Sequence, residues 1–252
     1  MLILVYLITR CVHCQMVSLL IHINFFVFLA CFAIALTRNS NLNTIIVGLT
    51  YLAPLVPYGL NFENMERFLL VSYFNLIFGL IEIVVFVKTV KPEDTPFDKE
   101  HLKQLFGHTL PIVVALISLS FLGRSTEFPL SAVELGVIIT LFVLGSFMRI
   151  IAICQIGAAA FKFDIVFREK QKLKTDQLYS LMRHPSYTAM MIVVVSFAVI
   201  THSLFFGVLG VLFAWAGFQY RIYHEERGLA EQYGEEYEIF RSSKGMWIPY
   251  FK

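Results

Sequence analysis

Charge is what this sequence has least of. Only 15% of its 252 residues are Asp, Glu, Lys or Arg, while 58% are hydrophobic. A soluble domain carries about a quarter charged residues, so a water-soluble globule is excluded. Cysteine is also scarce, at Cys11, Cys14, Cys31 and Cys154. Cys11 and Cys14 form a C-x-x-C, but no second Cys or His pair stands at ligand spacing, and the pair reads as small residues near a membrane helix. His13, His22, His101, His108 and His202 are scattered, so no metal is expected. Walker, H-E-x-x-H and G-x-S-x-G patterns are missing, which argues against nucleotide hydrolysis and metal catalysis. No basic face interleaved with aromatics points to nucleic acid. The N-terminus lacks a basic n-region and a small-residue cleavage site, and reads as part of a first span.

What the sequence has is long apolar runs. A membrane-crossing helix needs about 20 mostly apolar residues. Candidate spans are Gln15–Leu36, with Met1–Thr9 as an apolar lead-in; Thr44–Leu60, expected to kink at Pro54 and Pro57; Arg67–Lys88; His108–Leu122; Leu130–Gly157; Pro185–His202; and Ser203–Ile222. The last two have almost nothing between them and must form a tight antiparallel hairpin. The expected fold is all-α, a polytopic membrane helical bundle of about seven transmembrane helices (roughly six to eight). Beyond the last span, Ile222, Leu229, Tyr233, Tyr237 and Phe240 recur at helical spacing. They predict a C-terminal amphipathic helix lying on the membrane surface.

Basic residues orient the bundle. With alternating spans, one face collects Arg38, Lys88, Lys91, Lys99, Lys103, Lys162, Arg168, Lys170, Lys172, Lys174, Arg183, Arg221, Arg227, Arg241, Lys244 and Lys252; the other holds only Arg10, Arg67 and Arg124. The rich face is the cytoplasmic one. It carries two polar stretches, Leu178–Tyr187 (LYSLMRHPSY) and Arg221–Tyr237 (RIYHEERGLAEQYGEEY), which read as two halves of one site at the membrane surface.

In the first stretch, Pro185 suits the opening turn of a helix, because it has no amide hydrogen to leave unpaired there. His184 is biased to extended geometry by the proline after it. Arg183 and His184 thus sit at a helix mouth, where free amides and the positive dipole end favour an anion. A positive-inside anchor with a helix cap explains the same residues equally well. In the second stretch, Arg221 and Glu225 share a helical face. As an exposed ion pair they would contribute little, but at a membrane border charges are costly and are kept mainly for function. Arg149 and Glu82 each lie roughly 10 Å inside their spans at the same level. They pair with each other or line the same cavity; alternatively, Arg149 snorkels.

Taken together, Tyr179, Arg183-His184-Pro185-Ser186-Tyr187, a two-helix hairpin, Arg221, Glu225-Glu226-x-x-Leu229, Gly234-Glu235-Glu236-Tyr237 and the tail Trp247-Ile248-Pro249-Tyr250-Phe251 resemble the isoprenylcysteine carboxyl methyltransferase family of integral-membrane enzymes. The resemblance covers roughly residues 145–252. It divides the chain into N-terminal spans, 1–144, that anchor and give lipid-substrate access, and a methyltransferase region, 145–252. It implies S-adenosylmethionine as cofactor. By position, Gln171, Lys172, Leu173 and Lys174 would supply part of the binding loop, and Tyr179, His184, Pro185, Ser186, Tyr187 and Glu225 would contact the cofactor. Arg221 and Glu225 would be catalytic, with Arg221 holding a substrate carboxylate and Arg149 as a second substrate contact. The sequence departs from the family at Ala189 and Gln177, where glycine is common, and at Tyr223 and His224, where acids are.

The implied activity is methyl transfer to the carboxylate of a lipophilic acceptor, foremost a C-terminal prenylcysteine on a prenylated protein or a small lipophilic substrate in the bilayer. A phospholipid amine is the rival acceptor; it would need a base to take its proton, and Arg221 would repel an ammonium. Other classes are a non-catalytic membrane scaffold of the same fold, which would not need Arg221, Glu225, His184 and Tyr187, and a small transporter, for which no inverted repeat is present. The membrane would be the endoplasmic reticulum in a eukaryote and the cell membrane in a prokaryote.

Overall fold

The computed structural model describes residues 2–89, 99–157 and 172–249. The long elements are all helices: α1 (Leu2–Arg38), α2 (Leu42–Leu55), α3 (Met65–Thr89), α4 (Lys99–Gln104), α5 (Leu110–Ser125), α6 (Ala132–Ile156), α7 (Pro185–Ile200), α8 (Leu204–Tyr233) and α9 (Glu235–Ser243). Five stretches, Val12–Arg38, Met65–Lys88, His101–Ser125, Ala132–Ile156 and Leu204–Tyr233, are long and apolar enough to cross a membrane; α2 and α7 are apolar but shorter. The expected bundle class therefore holds in its coarse form.

Several boundaries differ from the sequence reading, each for a local reason. The apolar lead-in is no separate element, since α1 is continuous from Leu2. The second helix does not kink and continue to Leu60 but stops at Leu55, with Pro54 in its last turn. Its terminal carbonyls turn instead to Arg124, which donates to Pro54 O at 2.7 Å, Val56 O at 2.6 Å and Tyr58 O at 3.1 Å. The fourth span begins earlier than His108, because α4 runs through a π turn, Leu105–Thr109, into α5. Pro111 supplies the reason: it has no amide to bond the Gly107 carbonyl, and the helix widens ahead of it, with the Leu110 amide reaching Leu105 O. The amphipathic tail is not one helix. α8 runs unbroken from the hairpin to Tyr233, and Gly234, at φ 54°, breaks the chain before α9. Three of its stripe residues, Ile222, Tyr237 and Phe240, are buried in the protein instead of facing lipid.

Aromatic rings join the helices that position the polar end. Phe74 of α3 stacks on Phe142 of α6 at 3.6 Å between centroids, and meets Phe197 of α7 edge-on at 5.9 Å. Lipid tails are as apolar as these rings, so in a bilayer such a cluster would stabilise through close packing more than through removal from water. At the end of the bundle away from the α7 N-terminus, Arg67 is 1% exposed. It donates to Phe128 O at 2.7 Å, Ile200 O at 2.8 Å and the Glu134 carboxylate at 2.9 Å. One guanidinium thus ties the start of α3 to the end of α7, where a helix leaves its carbonyls unpaired, and to the first turn of α6.

Candidate active site

The site begins where the chain enters α7. A short 3-10 turn, Gln177–Ser180, precedes the helix. The Leu178 amide donates to the Gln155 side chain at 3.1 Å, and the buried Tyr179 hydroxyl makes a long bond to Ala152 O at 3.5 Å. Both partners lie in the last turns of α6. Burial, with the Glu225 charge nearby, pushes the Tyr179 phenol well above its usual range, so it stays protonated. Pro185 opens α7, as its missing amide predicts. The first intrahelical bond runs from the Thr188 amide to His184 O at 3.1 Å, which leaves the Ser186 and Tyr187 amides as the first-turn donors that helix geometry cannot satisfy internally.

The amides just before the helix are not free for an anion. Met182 and Gly245 form a parallel bridge. The Arg183 amide donates to Gly245 O at 2.9 Å and the His184 amide to Met246 O at 3.2 Å, while the Thr188 hydroxyl donates to Trp247 O at 2.7 Å. The segment after α9 therefore lies along the α7 mouth and fixes it.

From the other side comes α8, and it brings the two polar stretches together. The Tyr187 hydroxyl donates to Glu225 Oε2 at 2.8 Å and accepts from Arg221 Nε at 3.2 Å. Arg221 and Glu225, one helical turn apart, are thus joined through a tyrosine of α7. Arg221 is buried and Glu225 half-buried. Glu226 points elsewhere, because one residue along a helix rotates the side chain by about 100°. It is buried, and its Oε1 lies 3.0 Å from His184 Nε2 and 2.7 Å from Arg183 Nη1. A buried carboxylate is tolerated when paired in this way. Tyr237 of α9 is buried beside this group, and burial with the Glu226 charge raises its phenol.

Below the mouth, Arg149 neither snorkels nor stands alone. It meets Glu82 of α3 through two bonds, Nε to Oε1 at 2.9 Å and Nη2 to Oε2 at 3.0 Å, and Nη1 donates to Ser186 Oγ. Of the expected site residues, Tyr179, His184, Pro185, Ser186, Tyr187, Arg221, Glu225 and Arg149 converge on one end of the bundle. Lys174 pairs instead with the exposed Asp176 at 2.7 Å, an interaction that lowers the Asp176 carboxyl. Lys172 is exposed and Leu173 half-buried. Gln171 and residues 158–170 before it, with Lys162, Arg168 and Lys170 of the basic face, lie outside the described residues.

Sequence reasoning did not assign roles to Glu226, Thr188 or Gly245–Trp247. Glu226 could have been found: two adjacent carboxylates on a helix cannot serve one face, so the second needs its own cation. The bridge from Met182 to Gly245 leaves no local signal.

Fold and site together define a class: an apolar helical bundle with one polar end, where a helix mouth, a tyrosine and an Arg/Glu pair from a neighbouring helix converge. Comparison with known sequences gives that class a name. The model of the isoprenylcysteine carboxyl methyltransferase (ICMT) family matches residues 137–231 of this chain. It is similar to protein-S-isoprenylcysteine O-methyltransferase B of Arabidopsis thaliana, at 28% identity over 113 residues, 44% of this chain and 57% of that protein. A probable protein-S-isoprenylcysteine O-methyltransferase of Oryza sativa subsp. indica is also 28% identical, over 115 residues, 45% of this chain and 60% of the relative. The chain thus covers less than two thirds of the length of these relatives. The matched stretch holds most of α6, all of α7 and most of α8, and leaves out α1 to α5.

Proposed function

We propose that this protein is a multi-pass membrane methyltransferase of about seven spans, with its site on the cytoplasmic face, that uses S-adenosylmethionine to methylate the carboxylate of a lipophilic acceptor, foremost a C-terminal prenylcysteine. The observation that carries the proposal is the Arg221–Tyr187–Glu225 junction, which sets a cation and a carboxylate side by side at a helix mouth. The donor set fits an amino-acid sulfonium: first-turn amides of α7 for a carboxylate, Glu225 for a cation, and the ring of Tyr187, backed by the buried Phe218 at 5.8 Å between centroids, for an apolar body. Tyr179, Tyr187, Glu225 and the Ser186 amide would hold the cofactor, together with the loop Gln171–Lys174, while His184, whose amide is taken by Met246 O, and Pro185, which has none, would shape the mouth. The imidazole of His184 and the hydroxyl of Ser186 turn to Glu226 and Arg149, so neither of these side-chain groups is offered to the cofactor.

When bound, S-adenosylmethionine supplies an electrophilic methyl group for in-line displacement. A carboxylate acceptor is already ionised at neutral pH and asks no base of the protein. What the protein provides is placement and exclusion of water. Arg221 orients the acceptor carboxylate through its planar fork. Tyr187 holds Arg221 and Glu225 in register, so that donor and acceptor meet between them. An amine acceptor would meet the fixed Arg221 cation instead.

The test uses purified protein in detergent with labelled S-adenosylmethionine and a farnesyl-cysteine analogue. The expected result is cofactor binding and methyl transfer that falls about 100-fold or more in Arg221→Ala. Failure to bind cofactor would overturn the reading. Binding without transfer would remove the prenylcysteine assignment and leave the cofactor site.

A further inference from the structure

Glu82 lies in α3, outside the stretch matched to the family, yet it is 3% exposed and fully engaged by Arg149. Three contacts show how it came to lie there. On α3, Phe74, Phe78 and Glu82 stand four residues apart and share one face. On α6, Phe142 and Arg149 stand seven apart and share another. Phe78 meets Phe142 at 6.4 Å between centroids, and the ion pair continues the same seam further along. The same side of α6 is also held against α7. A Cβ on Gly145 would lie 2.8 Å from Ala189 O and 2.8 Å from a Val193 methyl, so α6 and α7 touch backbone to side chain one turn from Arg149. Ala189 is three residues from Ser186, on the same side of α7. The Arg149 guanidinium therefore has a defined place between a carboxylate on one helix and the first-turn hydroxyl of the next.

From this geometry we infer that Glu82 is a positioning residue for the cofactor mouth: through Arg149 it sets Ser186 and the first turn of α7. Glu82 is thereby one group through which the N-terminal spans act on the site. The inference rests on the cofactor site proposed above. It assigns Arg149 to the support of that site, in place of the substrate contact expected from the sequence. Two of the three groups are charged and all three are buried. A buried guanidinium keeps its orientation only while its fork is filled, and a planar bidentate pair fixes that orientation more narrowly than a single contact would.

The experiment measures S-adenosylmethionine affinity by calorimetry on the purified full chain in detergent, for wild type, Glu82→Gln, Ser186→Ala and the double variant. Thermal unfolding is recorded alongside. Glu82→Gln is expected to weaken binding about tenfold and Ser186→Ala about threefold, and the double variant is expected to bind no worse than Glu82→Gln alone, since both changes cut one chain of contacts. A role confined to stability would move the unfolding temperature and leave that non-additivity absent. Wild-type affinity in Glu82→Gln, or additive losses in the double variant, would overturn the inference while leaving the cofactor site intact. If wild type itself binds no cofactor, the proposed function and this inference fall together. Should Glu82→Gln not be recovered folded, Glu82→Asp keeps the charge but withdraws it by one methylene, and is expected to show the same coupling to Ser186→Ala.

Discussion

The two ends of this bundle use arginine in opposite ways. At the end away from the α7 mouth, Arg67 and Arg124 are held mainly by main-chain carbonyls: Phe128 and Ile200 for the first, with the Glu134 carboxylate beside them, and Pro54, Val56 and Tyr58 for the second. At the mouth, Arg149, Arg183 and Arg221 meet side chains: Glu82 and Ser186, Glu226, and Tyr187. Carbonyls at helix ends have nowhere else to go and hold a guanidinium permanently. Carboxylates and hydroxyls can trade partners when a ligand arrives. The difference separates arginines held mainly by the chain's own carbonyls from arginines held by side chains, although the sequence presents all of them but Arg149 alike, as basic residues at membrane borders.

Substitutions can break that comparison, and the largest effect is expected at Arg67. Arg67→Met strands Glu134 and the Ile200 carbonyl and should cost on the order of 3–5 kcal/mol, read as a large fall in the unfolding temperature, with cofactor affinity unchanged in whatever protein remains folded. Next comes Arg221→Ala, for which turnover should drop about 100-fold or more, equivalent to about 2.7 kcal/mol, while unfolding shifts far less than in Arg67→Met. Equal shifts in unfolding for the two variants would erase the distinction between the ends. Tyr187→Phe keeps the ring and removes only the link between Arg221 and Glu225, so a loss of about tenfold in turnover is expected, about 1.4 kcal/mol. Arg124→Lys, which keeps the charge but cannot serve three carbonyls from one plane, should lower stability by roughly 1–2 kcal/mol and leave turnover untouched.

The smallest effect is one of pH. The phenols of Tyr179 and Tyr237 are raised by burial and by a neighbouring carboxylate. A group whose folded value lies above its unfolded one favours the fold fully below the unfolded value, about 10 for tyrosine. That contribution fades as pH climbs past it, because the unfolded chain loses the proton first. Helical ellipticity in detergent should therefore be flat from neutral pH to about 9.5 and decline at higher pH, and Tyr237→Phe should blunt the decline.

How far the sequence could be read depended on the range of the interaction. Spans showed themselves in apolar runs, and the start of α7 in Pro185, because both are local effects. Arg221, Glu225 and Tyr187 could be brought together because a tight hairpin, visible between His202 and Ser203, returns α8 to the level at which α7 began. The stop at Leu55 has a local cause in Pro57, which pulls Val56 out of the helix; what was not legible was Arg124, far along the chain, which takes up the freed carbonyls. The split of the tail at Gly234 was legible in principle, since glycine there fits a positive φ, but the hydrophobic stripe running across it looked continuous. The Glu82–Arg149 pair was open to view as two charges at equal depth. What decided it was the Phe74–Phe142 stack, and periodicity alone does not announce which helix faces which.

The strap of residues 245–247 along the α7 mouth has a consequence for how the site is put together. The Arg221–Tyr187–Glu225 cluster rests on α7 and α8 alone, so the helical hairpin suffices to make it, whereas the Arg183 and His184 amides are paired only once Gly245 and Met246 lie beside them. A chain cut after Ser243 is expected to keep the cluster and to lose the closed mouth.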